Sequence, residues 1–241
     1  MLSTRSAPPA RADAPESVAA GARIPWRVLD LGLEPYGAVL ERQLALLEER
    51  IQGRVPDTLI LVEHPPVVTL GRAKTTANLR HTPEALRASG IEFFEVSRGG
   101  DATYHAPGQL VGYPIFDLRQ HGRDVLRFCR GVEAALGGVL EAVGLRARSV
   151  PGKAGVWVGD RKIASLGISL RRWVTFHGFA LNVGVDLAGF QVIRPCGEEP
   201  GVMTSMEALL KHSVAMGEVR SRVVAEFARV FGFGEQPAVS R

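Results

Sequence analysis

The sequence predicts an α/β protein of the α+β kind, with a mixed central sheet flanked by helices. Three observations carry that expectation. Apolar residues recur at helical spacing in separate segments near residues 35–52, 123–143 and 213–230. Between them lie short runs rich in β-branched and aromatic residues, bounded by Gly and Pro. The two kinds of segment follow one another without the strict alternation that a doubly wound parallel sheet requires. The 241 residues, 46% of them hydrophobic and 22% charged, suit one substantial core and are short for two large domains.

Residues 1–24 are rich in Ala, Pro, Arg and Ser with no hydrophobic period and read as a disordered tail. Asp13, Glu16 and the early prolines argue against an amphipathic transit helix. A single domain is expected over 25–235. Its first strand is 26–31. Tyr36, Leu40, Leu44, Leu47 and Ile51 mark a helix over 35–52 that ends near Gly53. The apolar run 58–62 reads as a buried strand, and His64-Pro65-Pro66 breaks it because proline cannot donate to a sheet ladder. His64 is open to three readings, a ligand, a base or a structural loop histidine. Extended structure resumes over 67–70, followed by a short helix over 83–89 and a strand over 92–96.

Val125, Cys129, Val132, Leu136, Leu140 and Val143 form one stripe of a long helix over 123–143. That stripe makes Cys129 a small hydrophobe rather than a reactive thiol. Strands are expected over 147–150, 155–158, 162–170, 173–177 and 179–183, with Gly159-Asp160 as a tight turn. A last amphipathic helix starts near Ser213 as its N-cap.

The formal charge is 29 − 25 = +4 and the pI is near 9.4, a balance that suits an acidic protein partner. No dense Lys/Arg run and no basic-aromatic interleaving is present, so nucleic acid is not the expected partner. Arg171-Arg172-Trp173 reads as a solvated turn with one packed Trp. Two cysteines without C-x-x-C spacing point to the reducing cytoplasm. With no apolar run of about 18 residues, no membrane span is expected.

The densest cluster of functional chemistry is RGGDATYHAPGQLVGY, residues 98–113. Gly99 and Gly100 admit backbone angles closed to other residues and let a ligand approach the main chain. Thr103, Tyr104, His105 and Gln109 supply hydrogen-bonding groups, and Pro107-Gly108 is a turn signal. On residue chemistry alone, a polar hairpin explains the stretch equally well.

That stretch closely resembles the signature of the lipoyl(octanoyl) transferases, the lipoate-protein ligase B family. Similar matches follow in family order at EHPPVVTLGR, GVWVGDRKIASLGI, HGFALNV and IRPCG, together covering roughly residues 26–210. The resemblance implies a biotin/lipoate protein ligase-like fold. It also implies transfer of an octanoyl group from octanoyl-acyl carrier protein to a lysine of lipoyl domains, those of 2-oxoacid dehydrogenases and of the glycine cleavage H protein. Cys196 matches the family's nucleophile and Lys162 its catalytic lysine. The implied substrate contacts are Arg98, Gly99, Gly100, Asp101, Ala102, Thr103, Tyr104 and His105; Ser165, Leu166 and Gly167; and Gly178, Phe179 and Ala180. One position departs from the family, Ala106 standing where Gly is usual.

The residues alone say less about this pair. Cys196 lies between Pro195 and Gly197, outside any helical stripe, and a free thiol with pKa near 8.5 needs a cationic or basic neighbour to react at neutral pH. The implied chemistry uses thioester energy, so no cofactor is expected, and no G-x-x-x-x-G-K-[ST] is present. His105 and His177 lack the spacing of a metal site with Cys196, and none is expected. Two rivals stand beside this reading, an ATP-dependent lipoate ligase of the same fold and a noncatalytic protein that holds lipoyl domains or acyl carrier protein.

Overall fold

A computed structural model describes residues 24–73 and 76–234, with Cys196 as backbone alone; the expected tail lies outside the described residues, except for Ile24. Seven strands form the main sheet in the order β1-β2-β6-β10-β9-β8-β7. In chain order these are β1 (Trp26–Leu33), β2 (Asp57–Glu63), β6 (Gln109–Ile115), β7 (Ala147–Val150), β8 (Lys153–Val158), β9 (Arg161–Arg171) and β10 (Val174–Asn182). Only the β1–β2 pairing is parallel, so the sheet is mixed, as expected. A second sheet of three four-residue strands, β4-β3-β5, stands apart from it and was not anticipated. It comprises β3 (Val67–Leu70), β4 (Glu92–Glu95) and β5 (Ala102–His105), with the short helix α2 (Pro83–Ala88) between β3 and β4.

Both faces of the main sheet are covered, and strand alternation shows how. In β2, Leu59 and Leu61 join the core under helices α3 (Val125–Glu141) and α5 (Met216–Phe231), while Ile60 and Val62 join the core under α1 (Tyr36–Ile51). A strand buried on both sides reads as an uninterrupted apolar run, which is why β2 was legible. The C-terminal end of α1 is pinned to β2 by a buried ion pair, Arg50 Nε to Asp57 Oδ1 at 2.7 Å, and His121 Nε2 bonds the other Asp57 oxygen at 2.6 Å. Among the described residues, no helix is long and apolar enough to cross a membrane.

Several expectations are corrected. The two strands expected over 173–177 and 179–183 are one strand, β10 (Val174–Asn182), which runs through Gly178. A Cβ at Gly178 would overlap Gly112 O and lie 2.7 Å from Pro114 Cδ, so glycine marks close strand packing here rather than a break. The last helix begins at Met216, with Ala215 as its N-cap and no side-chain cap. Ser213 lies outside that helix, and the segment before α5 is held by Val214 N donating to Glu207 Oε1 at 2.8 Å. A short helix, α4 (Met206–Leu210), had been missed; Ser205 caps it, accepting from Ala208 N. Arg172 and Trp173 form a two-residue hairpin turn with φ of 49° and 68°, the primed geometry that matches strand twist. Residues 187–192 are a 3₁₀ turn.

Candidate active site

The register of β9 and β10 assembles the site. Ser165 pairs with Ala180, Leu166 with Phe179, and Gly167 with Gly178, so two segments expected to contact substrate are direct cross-strand neighbours. The third folds over them where Gly99 N donates to Ile168 O at 3.1 Å. This crossing requires bare backbone, because a Cβ at Gly167 would stand 2.9 Å from Gly99 O. Between these segments opens a cleft of about 470 Å³, its open mouth included.

Arg98, Gly99, Gly100, Thr103 and His105 line the cleft, as do all six residues of the other two segments. Alternation along β5 sends Ala102 and Tyr104 to the opposite side, into the core of the small sheet, where Tyr104 meets Phe190 edge to face at 5.5 Å. Asp101 also lies outside the lining and accepts a hydrogen bond from Asn78 Nδ2. Arg98 is buried, its Nη2 donating to Thr69 O at 2.7 Å and its Nη1 to Gly99 O at 3.1 Å. Those bonds fix the loop that carries the two glycines.

The inner wall of the cleft is aromatic and polar. Tyr36 stacks on His105 with ring planes 10° apart, and Tyr36, Tyr113 and His177 line the cavity. Sequence reasoning named neither tyrosine as a site residue, because both sit in ordinary apolar patterns. His64 is fully buried behind this wall. Its Nδ1 donates to Glu34 O at 2.7 Å, so its Nε2 accepts from the Tyr113 hydroxyl at 2.8 Å. Burial lowers His64 to about 4, and burial followed by the neighbouring His64 lowers His105 to about 3. His177 falls to about 3 through burial and the Arg98 charge. Burial lifts the Tyr36 hydroxyl to about 12. All these groups are therefore neutral at pH 7, a low-charge lining suited to an apolar guest.

Each of these histidines binds a proton more readily when unfolded, near pH 6.5, than when folded. Their contribution is full above pH 6.5 and is lost as pH falls toward 3 to 4, by up to about 1.4 kcal/mol per pH unit for each histidine. Denaturant melts at pH 7 and pH 5 should show this loss, with a shallower slope in His64→Gln.

Lys162 is not among the residues that line the cleft, and a β-bulge sets the face of β9 on which it lies. Opposite β8, Trp157 pairs with Lys162 but Val156 pairs with Ala164, leaving Ile163 as the extra residue. The bulge shifts the alternation by one, so Lys162 shares a face with Ser165, and Ala164 turns with Val156 into the core. The Lys162 side chain, 5% exposed, lies across Gly155 and over the Trp157 ring, with Nζ 5.9 Å from the ring centroid. Cys196 lies in the 3₁₀ turn Pro195–Gly197. The segment that follows it returns to β9, where Met203 bridges Lys162 and Thr204 N donates to Lys162 O at 2.9 Å. Cys129, the other cysteine, is half-buried, and burial followed by Glu133 raises its thiol to about 11, so it is inert.

Comparison with known proteins decides the family. The model of the lipoyl protein ligase A/B catalytic domain matches residues 35–228. The chain belongs to the lipoyl protein ligase A/B family. An octanoyltransferase of Solibacter usitatus is 49% identical over 87% of this chain and 94% of its own length. Within the lipoyl protein ligase A/B family the chain is thus an enzyme, an acyltransferase. A crystal structure of lipoate-protein ligase A bound with ATP superposes with a TM-score of 0.70 at 18% identity, covering 89% of each chain. Biotin protein ligase from Aquifex aeolicus, in complex with biotin and ATP, gives 0.54 at 12% identity over 86% of this chain and 70% of its own. The biotin/lipoate ligase-like fold expected from the sequence is the one observed.

Proposed function

We propose that the enzyme moves an octanoyl group from the thioester of octanoyl-acyl carrier protein to a lysine of a lipoyl domain, by way of an octanoyl thioester on Cys196. The observation that carries this reading is one register. The cross-strand pairs Ser165–Ala180, Leu166–Phe179 and Gly167–Gly178 line a cleft whose histidines are neutral at pH 7, and the same strand β9 bears Lys162, to which the segment after Cys196 is hydrogen-bonded. The acyl chain lies in the cleft, and its carbonyl carbon meets Cys196 Sγ.

In the first half-reaction Lys162 takes the Cys196 proton and the thiolate attacks the donor carbonyl. The bond to the carrier's sulfur breaks, and that sulfur leaves as a thiol with the proton returned by Lys162. In the second, the acceptor lysine attacks as a neutral amine, its proton passes to Lys162, and an amide forms as Cys196 leaves. Lys162 and Cys196 titrate as one coupled pair. Lipoyl domains of 2-oxoacid dehydrogenases and of the glycine cleavage H protein are the acceptors.

Purified enzyme mixed with octanoyl-acyl carrier protein and a lipoyl domain, with no ATP, should add one octanoyl group to the acceptor lysine. The rate should fall several-fold between low salt and about 0.5 M salt, because a chain of net charge +4 steers acidic partners weakly. Transfer that occurs only when ATP is added would establish the ligase reading instead, and complex formation without transfer a binding protein.

A further inference from the structure

A buried series of hydrogen bonds joins the cleft wall to the segment that follows Cys196. His105 Nδ1 donates to Gln109 Oε1 at 2.7 Å, Gln109 Nε2 to Asn182 Oδ1 at 2.9 Å, and Asn182 Nδ2 to Thr204 O at 2.8 Å. The series ends where Thr204 N donates to Lys162 O. Its direction is forced from one end. Thr204 O can only accept, so Asn182 presents its nitrogen there and its oxygen to Gln109, and Gln109 in turn presents its own oxygen to His105. Gln109 and Asn182 are each 1% exposed, so no solvent competes for these bonds.

The segment carrying Cys196 is anchored at two ends. Upstream, Arg194 N donates to Asn78 O at 2.8 Å. Downstream, Thr204 is held by both its backbone groups, and this anchor also grips Lys162. Between the anchors, the ion pairs Lys153–Glu198 at 2.5 Å and Arg80–Glu199 at 2.7 Å are exposed and therefore weak. The downstream anchor joins the segment to Lys162 through the Met203 bridge and Thr204 N, and the Asn182 amide holds the carbonyl of the same Thr204.

We propose that Asn182 is a positioning residue of the transfer reaction: through Thr204 it holds the Cys196 segment in register with Lys162, and through Gln109 and His105 it ties that register to the cleft wall. This rests on the Cys196–Lys162 reading above. Asn182 is the last residue of β10, two positions beyond the cleft-lining Ala180, and neither its side chain nor that of Thr204 touches the reacting atoms in this account.

Two substitutions test it. Asn182→Leu has similar size and makes neither bond. Asn182→Asp keeps an acceptor for Gln109 and, when ionised, has no donor for Thr204 O. Both should lower kcat by about 30- to 100-fold, with the KM for octanoyl-acyl carrier protein within about twofold, since small misplacement of reacting groups costs rates of that order. The pH midpoint for iodoacetamide labelling of Cys196, followed at the peptide level, should move toward the ordinary thiol value of about 8.5. Hydrogen exchange at the Thr204 amide should accelerate at least about tenfold. Folded variants with wild-type labelling midpoint and wild-type Thr204 protection would overturn the proposal, as would a loss of kcat that tracks only the unfolded fraction. If Cys196→Ser still transfers octanoyl while Asn182→Leu frees the Thr204 amide, the catalytic reading fails and the anchoring role stands. If Cys196 is acylated and neither Asn182 variant moves the labelling midpoint or the Thr204 amide, the anchoring role fails alone.

Discussion

Lys162→Ala should lower octanoyl transfer by about 10²- to 10³-fold, and Cys196→Ser by at least about 10³-fold, in folded protein. The lysine figure is the range a positioned proton acceptor supplies. The cysteine figure is larger because a serine hydroxyl, far less acidic than a thiol, is barely ionised even beside a base. The two losses should not add: once the nucleophile is gone, Lys162 has no proton to take, so the double variant should match Cys196→Ser alone. A 5% exposed lysine laid on a tryptophan face also packs, so melting temperature must be measured beside activity. The readout is single-turnover acylation of a lipoyl domain by mass, and additive losses would argue that the two residues act apart.

Gly155→Ala should cost about 10²-fold in kcat although the glycine carries no functional group. Its φ of 120° lies in a region reserved for glycine, and it stands opposite Ser165 beside the bulge. An added Cβ would overlap Ala164 O and come within 2.9 Å of Lys162 Cε. The carbonyl belongs to β9 and cannot yield cheaply, so the strand shifts and the Lys162 side chain is pushed off its track, and displacements on the scale of 1 Å cost rates of this size. Gly159→Ala is the control. It has a positive φ of 60° but open space around a Cβ, so it should lose some stability and keep kcat within about twofold. Equal kcat losses in both variants would show that backbone strain, not the displaced lysine, explains the effect.

The helices and the long strands were legible because each carries a repeated burial pattern. The stripe of α1 from Tyr36 to Ile51 and the unbroken apolar run of β2 each have one reading. In the small sheet β3 and β4 were legible as extended runs, but β5 was not, since Ala102–His105 sits among turn residues, and nothing local says that the three strands pair apart from the main sheet. Gly178 misled for a related reason. Glycine punctuates most strands, but here it admits the Gly112 carbonyl and the Pro114 ring. Ser213 has the composition of an N-cap, yet the nearby polar contact that counts is Glu207 to Val214.

The site divides the same way. Two glycines and a Thr-x-His pair are compatible with a ligand-facing loop or a polar hairpin, and nothing local in Ser165-Leu166-Gly167 or Gly178-Phe179-Ala180 predicts that they pair. Lys162 and Cys196 were linked by resemblance to a family and not by spacing. A one-residue bulge at Ile163 decides which face Lys162 takes, and strict alternation would have turned it into the core with Ala164. Tyr113 and Asn182 were missed because a buried polar residue in a strand carries no mark of its partner, and Tyr36 because it heads the apolar stripe of α1.

The central claim is a covalent acyl group on Cys196, and intact-protein mass spectrometry after mixing the enzyme with octanoyl-acyl carrier protein, without ATP and without acceptor, tests it most directly. The account predicts a gain of one octanoyl group on the wild-type chain, mapped to Cys196, absent in Cys196→Ser and slow to form in Lys162→Ala. An unmodified wild-type chain, or an octanoyl group retained in Cys196→Ser, would contradict it.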